Sequence, residues 1–407
     1  MKLYQKSAWK EAPMLMLISL GLLILPVSNS IGQVPLYLAS VMWCVQFFRG
    51  KSTATTSTWI LLGGWMLLIL IGLPFAVHPD MGIHKLNRFL IFPLTGAVTA
   101  VCLKQADRGS GMETILKSLV LGVSVLGVYD LIRFPWLIHG GMAFQDVGNM
   151  TSPQFYLVGL MGWLGLISLD RDRVSRIWWT CFPLLVTGLL LHQKRGVWLA
   201  ALATVGLWTL WSRKRKTLLA MIVLAGIALC MPQVQHRLGE LREVIQPTHG
   251  GRMILWTQVA PRLLPDYPWG MGYNGSQYED FREVLPQEYH MEEGLRHLHN
   301  NFLQIRLEMG WQGIAWWSIW MGLVFWKAFR PGSPELKDLR GAVAFAFLGL
   351  FLNGLVEYNF GDSEILKVYL VLFGLIDAGQ KDVRRAGTAY EEERKEEYRS
   401  QPTGQSV

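Results

Sequence analysis

Charged residues are scarce in this sequence of 407 residues. Only 17% of the residues are charged, whereas 51% are hydrophobic and 18 are tryptophan. Soluble domains carry roughly 25% charged residues, and they bury most of their large apolar side chains. A soluble fold with this composition would expose too much apolar surface to water. The composition therefore argues against a soluble domain and indicates a membrane protein.

Cysteine is also scarce. The four cysteines, Cys44, Cys102, Cys181 and Cys230, lie in or at the ends of apolar stretches and show no paired spacing. A disulfide framework or a zinc knuckle requires such spacing. The cysteines are therefore predicted to be packing residues.

Two further patterns are missing. The sequence has no Asp-rich metal-binding motif, and it has no basic stripe interleaved with aromatic residues, as a nucleic-acid-binding surface would have. The net charge of +8 is better explained by basic residues that lie beside anionic lipid. We therefore expect no metal, no cofactor and no nucleic-acid partner, and we expect membrane lipids as neighbours.

Long apolar stretches are abundant. They predict an all-α polytopic membrane protein with about twelve transmembrane helices. The first stretch follows three lysines and superficially resembles a signal peptide, but further spans follow it, so we expect a retained first helix. The twelve stretches are Met14 to Leu25, Val34 to Phe48, Trp59 to Phe75, Phe89 to Cys102, Ile115 to Phe134, Phe155 to Leu169, Ile177 to Leu191, Val197 to Trp211, Leu218 to Met231, Phe302 to Phe329, Ala342 to Val356 and Ile365 to Ile376.

The distribution of lysine and arginine predicts the orientation. Cytoplasmic loops carry an excess of these residues, and twelve spans with both termini inside place most of the 38 basic residues there. Residues 1–231 then contain spans 1 to 9, and residues 232–301 form one large loop with short helices on the far side of the membrane. Residues 302–378 contain spans 10 to 12, and residues 379–407 form a charged cytoplasmic tail.

A minority of basic residues falls on the far side, where positive charge in short loops opposes the insertion bias. Lys85 and Arg88 lie in one short turn, Lys194 and Arg195 lie in another, and Arg252 follows two glycines in the long loop. One interpretation is that these side chains contact lipid headgroups. The other is an anion site, because guanidinium groups bind phosphate in a bidentate way and can hold a diphosphate without a divalent metal.

A histidine-containing turn precedes the tenth span. It reads His297-Leu298-His299-Asn300. Two histidines are too few ligands for a metal, and no third ligand stands at a telling spacing. A histidine at a helix start often only caps or packs, but His299 adjoins the basic loop, which favours catalysis. We expect the His297 side chain to point elsewhere.

An acidic turn lies between the last two spans and contains Glu357, Asp362 and Glu364. It is predicted to face the same side of the membrane as His299. Glu357 or Asp362 would then orient His299 or counter the arginines, although a solvated loop explains these carboxylates equally well.

Several short motifs together resemble the O-antigen ligase and polymerase superfamily. They are Arg195-Gly-x-Trp-Leu, the Gly-Gly-Arg loop start at Arg252, Pro268-Trp-Gly-Met-Gly272, and His299-Asn300 followed after nine residues by Gly310-x-x-Gly313. The last pattern, in its membrane context, is the most specific.

The resemblance implies a GT-C-like membrane glycosyltransferase in the bacterial inner membrane, with its site facing the periplasm. Such an enzyme is inverting and metal-independent, and it uses an undecaprenyl-diphosphate-linked glycan as donor. The ligase branch transfers the O-antigen glycan to lipid A-core.

The resemblance also implies residue roles. The catalytic histidine falls on His299, and the two essential arginines fall on Arg195 and Arg252. The basic cluster of the first half falls on Lys85 or Arg88, and Asn300 is a candidate acceptor contact.

Three alternatives to the ligase stay open. A polymerase of the same superfamily shares the donor and the arginines. A protein O-oligosaccharyltransferase is less favoured, because such enzymes often carry further sequence after the last span. A non-enzymatic transporter of lipid-linked sugar is less favoured because it would place charge near the membrane midplane, whereas the charge here gathers at one face.

Overall fold

The structure is a computed structural model that describes residues 13–50, 56–80, 86–105, 108–141, 149–169, 177–230, 232–239, 251–284, 296–330 and 336–378. Within these residues the chain is helical, with turns between the helices. Twelve helices of at least 12 residues dominate this part of the chain. They are α1 (Pro13–Ile24), α2 (Asn29–Phe48), α3 (Thr56–Gly72), α4 (Leu86–Gln105), α5 (Arg108–His139), α6 (Ser152–Ile167), α7 (Ile177–Leu191), α8 (Arg195–Trp211), α9 (Arg215–Leu229), α10 (Asn301–Ala328), α11 (Lys337–Asn353) and α12 (Ser363–Ala378).

Each predicted apolar stretch coincides with one of these helices, so the all-α prediction is confirmed. The boundaries differ where a helix continues past its apolar stretch. The clearest case is α5, which runs from Arg108 to His139 although the apolar stretch was limited to Ile115 to Phe134. Its first two turns are polar and contain Ser110 and Glu113, whereas at the other end the helix continues past Pro135 through Trp136, Leu137 and Ile138 to His139. The backbone hydrogen bonds of a helix continue through polar turns that an apolar-run search passes over.

Within the ranges that the structure describes, two helices are both long enough and apolar enough to cross a bilayer, Asn29–Phe48 and Gly109–His139. Five further apolar helices have 10 to 17 residues. A span needs about 20 residues. The number of twelve spans therefore stays a prediction.

Helix packing relies on small residues at close contacts. α12 packs along α4 more extensively than any other pair among the described residues. A Cβ atom on Gly374 would lie 2.6 Å from the carbonyl oxygen of Gly96, so no other residue fits there. Such small-residue contacts are typical of helices that associate in membranes. α11 is enclosed by α6, α8 and α12.

The described residues of the long loop form short helices and a small core of their own. A helical segment begins at Gly251, contains a π-helical stretch at Leu255–Val259 and ends at Leu263. Its apolar side chains pack with Met271 and Phe281 and with Leu298 just before α10. The loop is therefore attached to the helix that follows the histidine turn.

A kink in α10 provides the attachment. Gly310 has φ +70° and ψ −165°, which are not helical values. The freed backbone groups bond to the loop: the Met271 N–H donates to the Leu307 carbonyl at 3.0 Å, and the Trp311 N–H donates to the Pro268 carbonyl at 3.1 Å. The two glycine motifs found in the sequence are thus partners in one backbone contact.

The residues 1–12 and the tail 379–407 lie outside the described residues. The predicted cytoplasmic tail is therefore among the expectations that the structure does not address.

Candidate functional site

Turns from distant parts of the chain meet at one end of the helix bundle. The Asn301 N–H donates to the Gly354 carbonyl at 2.8 Å and joins the start of α10 to the turn after α11. The Asn359 amide in that turn donates to Gln154 of α6 at 2.8 Å. The Asn149 N–H donates to His192 at the end of α7. The histidine turn, the acidic turn and the Lys194–Arg195 turn therefore share one end of the bundle.

Glu357 lies at the centre of this end. Its Oε1 atom accepts a hydrogen bond from His299 Nδ1 at 2.8 Å, and its Oε2 atom accepts one from Arg252 Nη2 at 2.9 Å. Only 8% of the Glu357 side chain is exposed. Burial raises the pKa of this carboxyl, but the hydrogen bond and charge of His299 and the charge of Arg252 outweigh burial and hold the pKa below its ordinary value. Glu357 is therefore a carboxylate that joins the histidine turn to the arginine.

This contact fixes the tautomer of His299. A carboxylate only accepts hydrogen bonds, so the hydrogen of the His299 ring lies on Nδ1 and is donated to Glu357. When the ring is neutral, Nε2 therefore carries the lone pair, and the charge that lowers the pKa of Glu357 is that of the same ring after Nε2 has gained a proton. A carboxylate that orients the far nitrogen of a histidine is the arrangement that general-base catalysis uses.

The backbone of the histidine turn is strained at His299, which has φ +46° in the left-handed region. Hydrogen bonds to the N–H and to the carbonyl of Leu298, the preceding residue, hold this strained turn in place. The Leu298 N–H donates to Gln304 Oε1 at 2.7 Å, and the Leu298 carbonyl accepts from the Trp256 indole at 2.8 Å. Strain of this kind persists where the surrounding structure enforces it, and it concentrates at functional sites.

Asn300 caps α10. Its side-chain oxygen accepts from the Leu303 N–H at 3.1 Å, and its amide donates to the Leu355 carbonyl at 2.7 Å. Because both ends of the amide are engaged, Asn300 holds the histidine turn against the acidic turn.

The expectation that His297 points elsewhere is wrong. Its ring centroid lies 4.1 Å from that of His299, and its Nε2 atom lies 3.9 Å from Glu357 Oε1. The strained backbone at His299 brings the two rings to the same side, which residue spacing alone does not show. Burial, with the neighbouring charges of His299 and Arg252, lowers the pKa of His297 to about 4, so this ring is neutral at physiological pH.

His297, His299 and Glu357 offer three ligand atoms that all lie within 4.8 Å of one another. The sequence showed only two of these ligands, because Glu357 is distant in the chain. The donor set is of a kind that a zinc ion accepts. A metal bound through His299 Nδ1 would require that atom without its hydrogen, and a metal bound by Glu357 would lie close to the guanidinium of Arg252. The present contacts instead satisfy the carboxylate with hydrogen-bond donors, including the Tyr358 N–H at 3.2 Å.

Arg195 is the first residue of α8, and its turn lies directly beside the acidic turn. A Cβ atom on Gly196 would lie 2.7 Å from Cγ2 of Val356, and Val356 immediately precedes Glu357. The Trp198 indole donates to the Leu189 carbonyl at 2.8 Å and ties α8 back to α7. In the Arg195-Gly-x-Trp motif, glycine therefore permits the close approach and tryptophan fixes the turn.

The other three candidate residues are Lys85, Arg88 and Asp362. Lys85 lies outside the described residues, and Arg88 lies in the first turn of α4, where its side chain is not described. Asp362 lies half-buried in the acidic turn, and the described residues show its backbone but not its carboxylate in a hydrogen bond. Burial and the charges of Glu357 and Glu364 raise the pKa of Asp362 to about 7.

A buried polar network supports the acidic turn, and the sequence reasoning missed it. Glu308 of α10 accepts hydrogen bonds from Ser276, Gln304 and the hydroxyl of Tyr358 at 2.9, 2.8 and 3.0 Å. Tyr358 is the neighbour of Glu357. The available signal was the spacing of Gln304 and Glu308, two polar residues four positions apart and therefore on one face of the tenth span.

Comparison with known protein families gives one match. Residues 180–318, about a third of the chain, match the model of the family described as O-antigen ligase. The matched segment contains Arg195, Arg252 and His299, and it ends before Glu357.

Individual relatives agree with this match. A protein of Rickettsia typhi named "Putative polysaccharide ligase" is 27% identical over 127 residues, which are 30% of this chain and 31% of the relative. A protein of Rickettsia felis with the same name is 22% identical over 77% of each chain. The "General O-oligosaccharyltransferase" of Acinetobacter baylyi is 23% identical over 85% of this chain and 60% of its own length. The chain thus spans less than a third of the first of these relatives.

Proposed function

We propose that this chain, which is similar to the O-antigen ligase family and to relatives named polysaccharide ligase and O-oligosaccharyltransferase, transfers a glycan from undecaprenyl diphosphate to an acceptor hydroxyl, with His299 as the base. The observation that carries this proposal is the contact of Glu357 with both His299 and Arg252. One carboxylate thereby joins a base oriented through Nδ1 to a cation that suits a diphosphate.

His299 supplies the proton acceptor. The hydroxyl oxygen of the acceptor attacks the anomeric carbon of the donor sugar, and its proton passes to His299 Nε2. The bond between the anomeric carbon and the phosphate oxygen breaks, and undecaprenyl diphosphate leaves with that electron pair. The attack and the departure take place on opposite faces, so the anomeric configuration inverts. The positive charge that develops on the ring is stabilised by Glu357.

The arginines bind the leaving group. Arg252 uses one Nη atom for Glu357, and its guanidinium keeps further donors for phosphate oxygens. Arg195 approaches from the turn beside Val356, and Lys85 and Arg88 are the candidates from the first half. Fixed cations neutralise the departing diphosphate, so the reaction requires no metal ion or cofactor.

We propose lipid A-core as the acceptor and the O-antigen glycan as the cargo, on the periplasmic face of the bacterial inner membrane. A protein acceptor is the second candidate, because the similarity to the O-oligosaccharyltransferase extends over 85% of this chain. A polymerase would use the lipid-linked glycan both as the donor and as the acceptor.

Lipopolysaccharide gels of a deletion strain separate these activities. Loss of the ligase should convert smooth lipopolysaccharide to rough and leave lipid-linked polymer to accumulate. Core that carries one repeat would instead indicate a polymerase. Unchanged lipopolysaccharide with loss of protein glycosylation would indicate the oligosaccharyltransferase, and loss of vesicle flipping without loss of transfer would indicate a transporter.

The mechanism is tested with His299→Ala. We expect this variant to lose transfer by at least about a hundredfold while it still binds the donor, because the arginines contact the diphosphate independently. His139→Ala is the matched control, since His139 is exposed at the end of α5 and should leave transfer unchanged. His297→Ala should reduce transfer less than His299→Ala, because its Nε2 lies beyond hydrogen-bond distance of Glu357.

The assay uses purified protein with donor and acceptor, with and without EDTA. Near-wild-type turnover by His299→Ala would exclude this residue as the base. Activity that EDTA removes and a divalent ion restores would instead make His297, His299 and Glu357 metal ligands.

A further inference from the structure

A buried polar cluster lies at the base of the turn that carries Arg195. Asp130 Oδ2 accepts hydrogen bonds from the Tyr156 hydroxyl at 2.7 Å and from His192 Nε2 at 2.9 Å. The three residues come from α5, α6 and the end of α7. Their exposure does not exceed 1%, so the cluster is closed to solvent and cannot itself bind a substrate.

His192 is held at both ring nitrogens. The Asn149 N–H donates to its Nδ1 atom at 3.2 Å, so Nδ1 carries the lone pair and Nε2 carries the hydrogen that is donated to Asp130. The Phe134 ring lies edge-on to the imidazole, with centroids 5.1 Å apart. The position and the tilt of this ring are therefore fixed.

Packing alone does not account for the cluster. A carboxylate buried among apolar helices is costly, and its replacement by apolar residues is often neutral or stabilising. Within the described part of the chain, Asp130 Oδ1 has no hydrogen-bond partner, which adds to this cost. Ionisable groups in such places usually serve a function.

The turn beside the cluster leads directly to Arg195, so the position of the cluster affects the position of that residue. Gln193 follows His192 directly and has φ +51°, in the left-handed region. Two residues later the chain enters α8 at Arg195, with Gly196 pressed against Val356. A small rotation at His192 would therefore be passed to Arg195 through a short and strained connection.

We propose that Asp130, His192 and Tyr156 form a positioning cluster, which fixes the turn at residues 192–195 and aims the Arg195 guanidinium at the diphosphate of the donor. The inference rests on the proposed function for its ligand and on the geometry of the turn for its mechanism. None of the three residues contacts substrate. They act through Arg195.

Two substitutions of Asp130 separate geometry from charge. In Asp130→Asn the amide oxygen can accept both hydrogen bonds, so the turn should keep its position, and binding of undecaprenyl diphosphate should stay within about threefold of wild type. Asp130→Leu removes both acceptors and should weaken binding at least about tenfold, which corresponds to 1.4 kcal/mol. Tyr156→Phe, with little change in volume, should have an intermediate effect.

A double-mutant cycle tests whether the effect passes through Arg195. Arg195→Lys keeps the charge but loses the bidentate fork. If Asp130 acts by aiming that fork, Asp130→Leu should change binding by less than about threefold in the Arg195→Lys background. Full additivity of the two changes would overturn the proposal, and so would an Asp130→Asn variant as impaired as Asp130→Leu, because the charge itself would then be required.

A readout that needs no donor keeps this test separate from the proposed function. The rate at which phenylglyoxal modifies Arg195, measured by mass spectrometry on purified protein, should rise in Asp130→Leu and stay at the wild-type value in Asp130→Asn. Thermal unfolding identifies any variant that fails to fold. If Asp130→Leu fails to fold, the labelling rate of Arg195 in Tyr156→Phe tests the positioning cluster instead. If wild-type protein does not bind undecaprenyl diphosphate, but phenylglyoxal still modifies Arg195 faster in Asp130→Leu than in Asp130→Asn, the proposed donor is refuted and the positioning cluster is not. Equal labelling in all variants would refute the cluster.

Discussion

At the scale of single residues, the acidic turn contains two carboxylates in opposite situations. Glu357 is surrounded by hydrogen-bond donors and a guanidinium, which keep its pKa low. Asp362 lies five residues later, and burial with the nearby charges of Glu357 and Glu364 raises its pKa to about 7. Burial disfavours a charge unless partners compensate for it. Ionisation of Glu357 therefore stabilises the folded protein, whereas ionisation of Asp362 destabilises it.

The raised pKa of Asp362 predicts a pH-dependent stability. Its ordinary value is 3.8, so between that value and about 7 the folded state binds more protons than the unfolded state. The stability that this group contributes is complete below pH 3.8 and is lost as the pH rises through 7. Asp362→Asn removes the effect. Its melting temperature should therefore exceed that of wild type by more at about pH 8 than at about pH 5.

Thermal unfolding in detergent at both pH values measures this difference. Glu357 does not confound it, because a carboxyl with a lowered pKa stays ionised throughout this range. Asp266→Asn changes an exposed carboxylate and should shift the melting temperature equally at both pH values. An equal shift for Asp362→Asn would show that the Asp362 carboxyl is not destabilised by burial.

The sequence identified the candidate residues more completely than it identified their contacts. His299, Arg195 and Arg252 follow from motifs that are local in the chain. The choice of Glu357 over Asp362 as the partner of His299 depends on how a chain separation of 58 positions is folded back and on the direction in which a turn projects its side chains. Local patterns contain no information on either.

At the scale of elements, two close approaches position the site. One is the kink of α10, where the Pro268–Gly272 segment lies against Gly310. The other is the contact of Gly196 with Val356. In both cases the sequence showed a glycine motif, but the element it packs against became visible only in the structure.

The kink predicts a strong effect for Gly310→Ala. A Cβ atom there would lie 2.4 Å from the carbonyl carbon of Trp269, and the residue would keep φ +70°. Positive φ with ψ near 180° is essentially restricted to glycine and costs an alanine about 1–3 kcal/mol, so we expect a clear fall in the melting temperature. Gly322→Ala is the control in the same helix. A Cβ atom on Gly322 meets nothing within 4 Å, so this variant should differ from wild type by less than about 1 kcal/mol. Equal stability of the two variants would contradict the kinked packing.

The contact beside Arg195 predicts a loss of activity and its rescue. In Gly196→Ala the new methyl group would collide with Val356 Cγ2 at 2.7 Å, which should move the Arg195 turn away from Glu357. Displacements of about 1 Å can cost a hundredfold in rate, so we expect transfer to fall by about ten- to a hundredfold. Val356→Ala removes the colliding atom, and the double variant should recover most of the activity.

Both single variants and the double variant are compared in the transfer assay, with melting temperatures measured in parallel. If the double variant is no more active than Gly196→Ala, the collision with Val356 is not the cause. Val356→Ala alone should retain most of the wild-type activity, because it opens space without displacing the turn.

At the scale of the whole molecule, the two ends of the helix bundle differ in character. One end gathers the histidine turn, the acidic turn and the Arg195 turn. At the other end the Trp211 ring lies 6.0 Å from that of Phe329, and Lys214 pairs with Asp338 at 3.0 Å. The positive-inside distribution assigned these two groups of turns to opposite sides of the membrane. The sequence could therefore predict which turns share an end, although the number of spans still depends on helices shorter than the length that a span needs.

Because direct contacts hold the first group of turns together, and also join the turn after Trp211 to the turn after Phe329, the turns in each of these sets must lie on the same side of the membrane. Reporter fusions after Leu191, within residues 232–301 and after Val356 should therefore all report the periplasm. Fusions after Phe48, Trp211 and Arg330 should all report the cytoplasm. A uniformly reversed result would place His299 in the cytoplasm, where the donor's glycan is not expected, and it would refute the proposed ligase while leaving the helix packing intact. A mixed result within the first group would contradict the packing itself, since His299, Glu357 and Gly196 could not then meet.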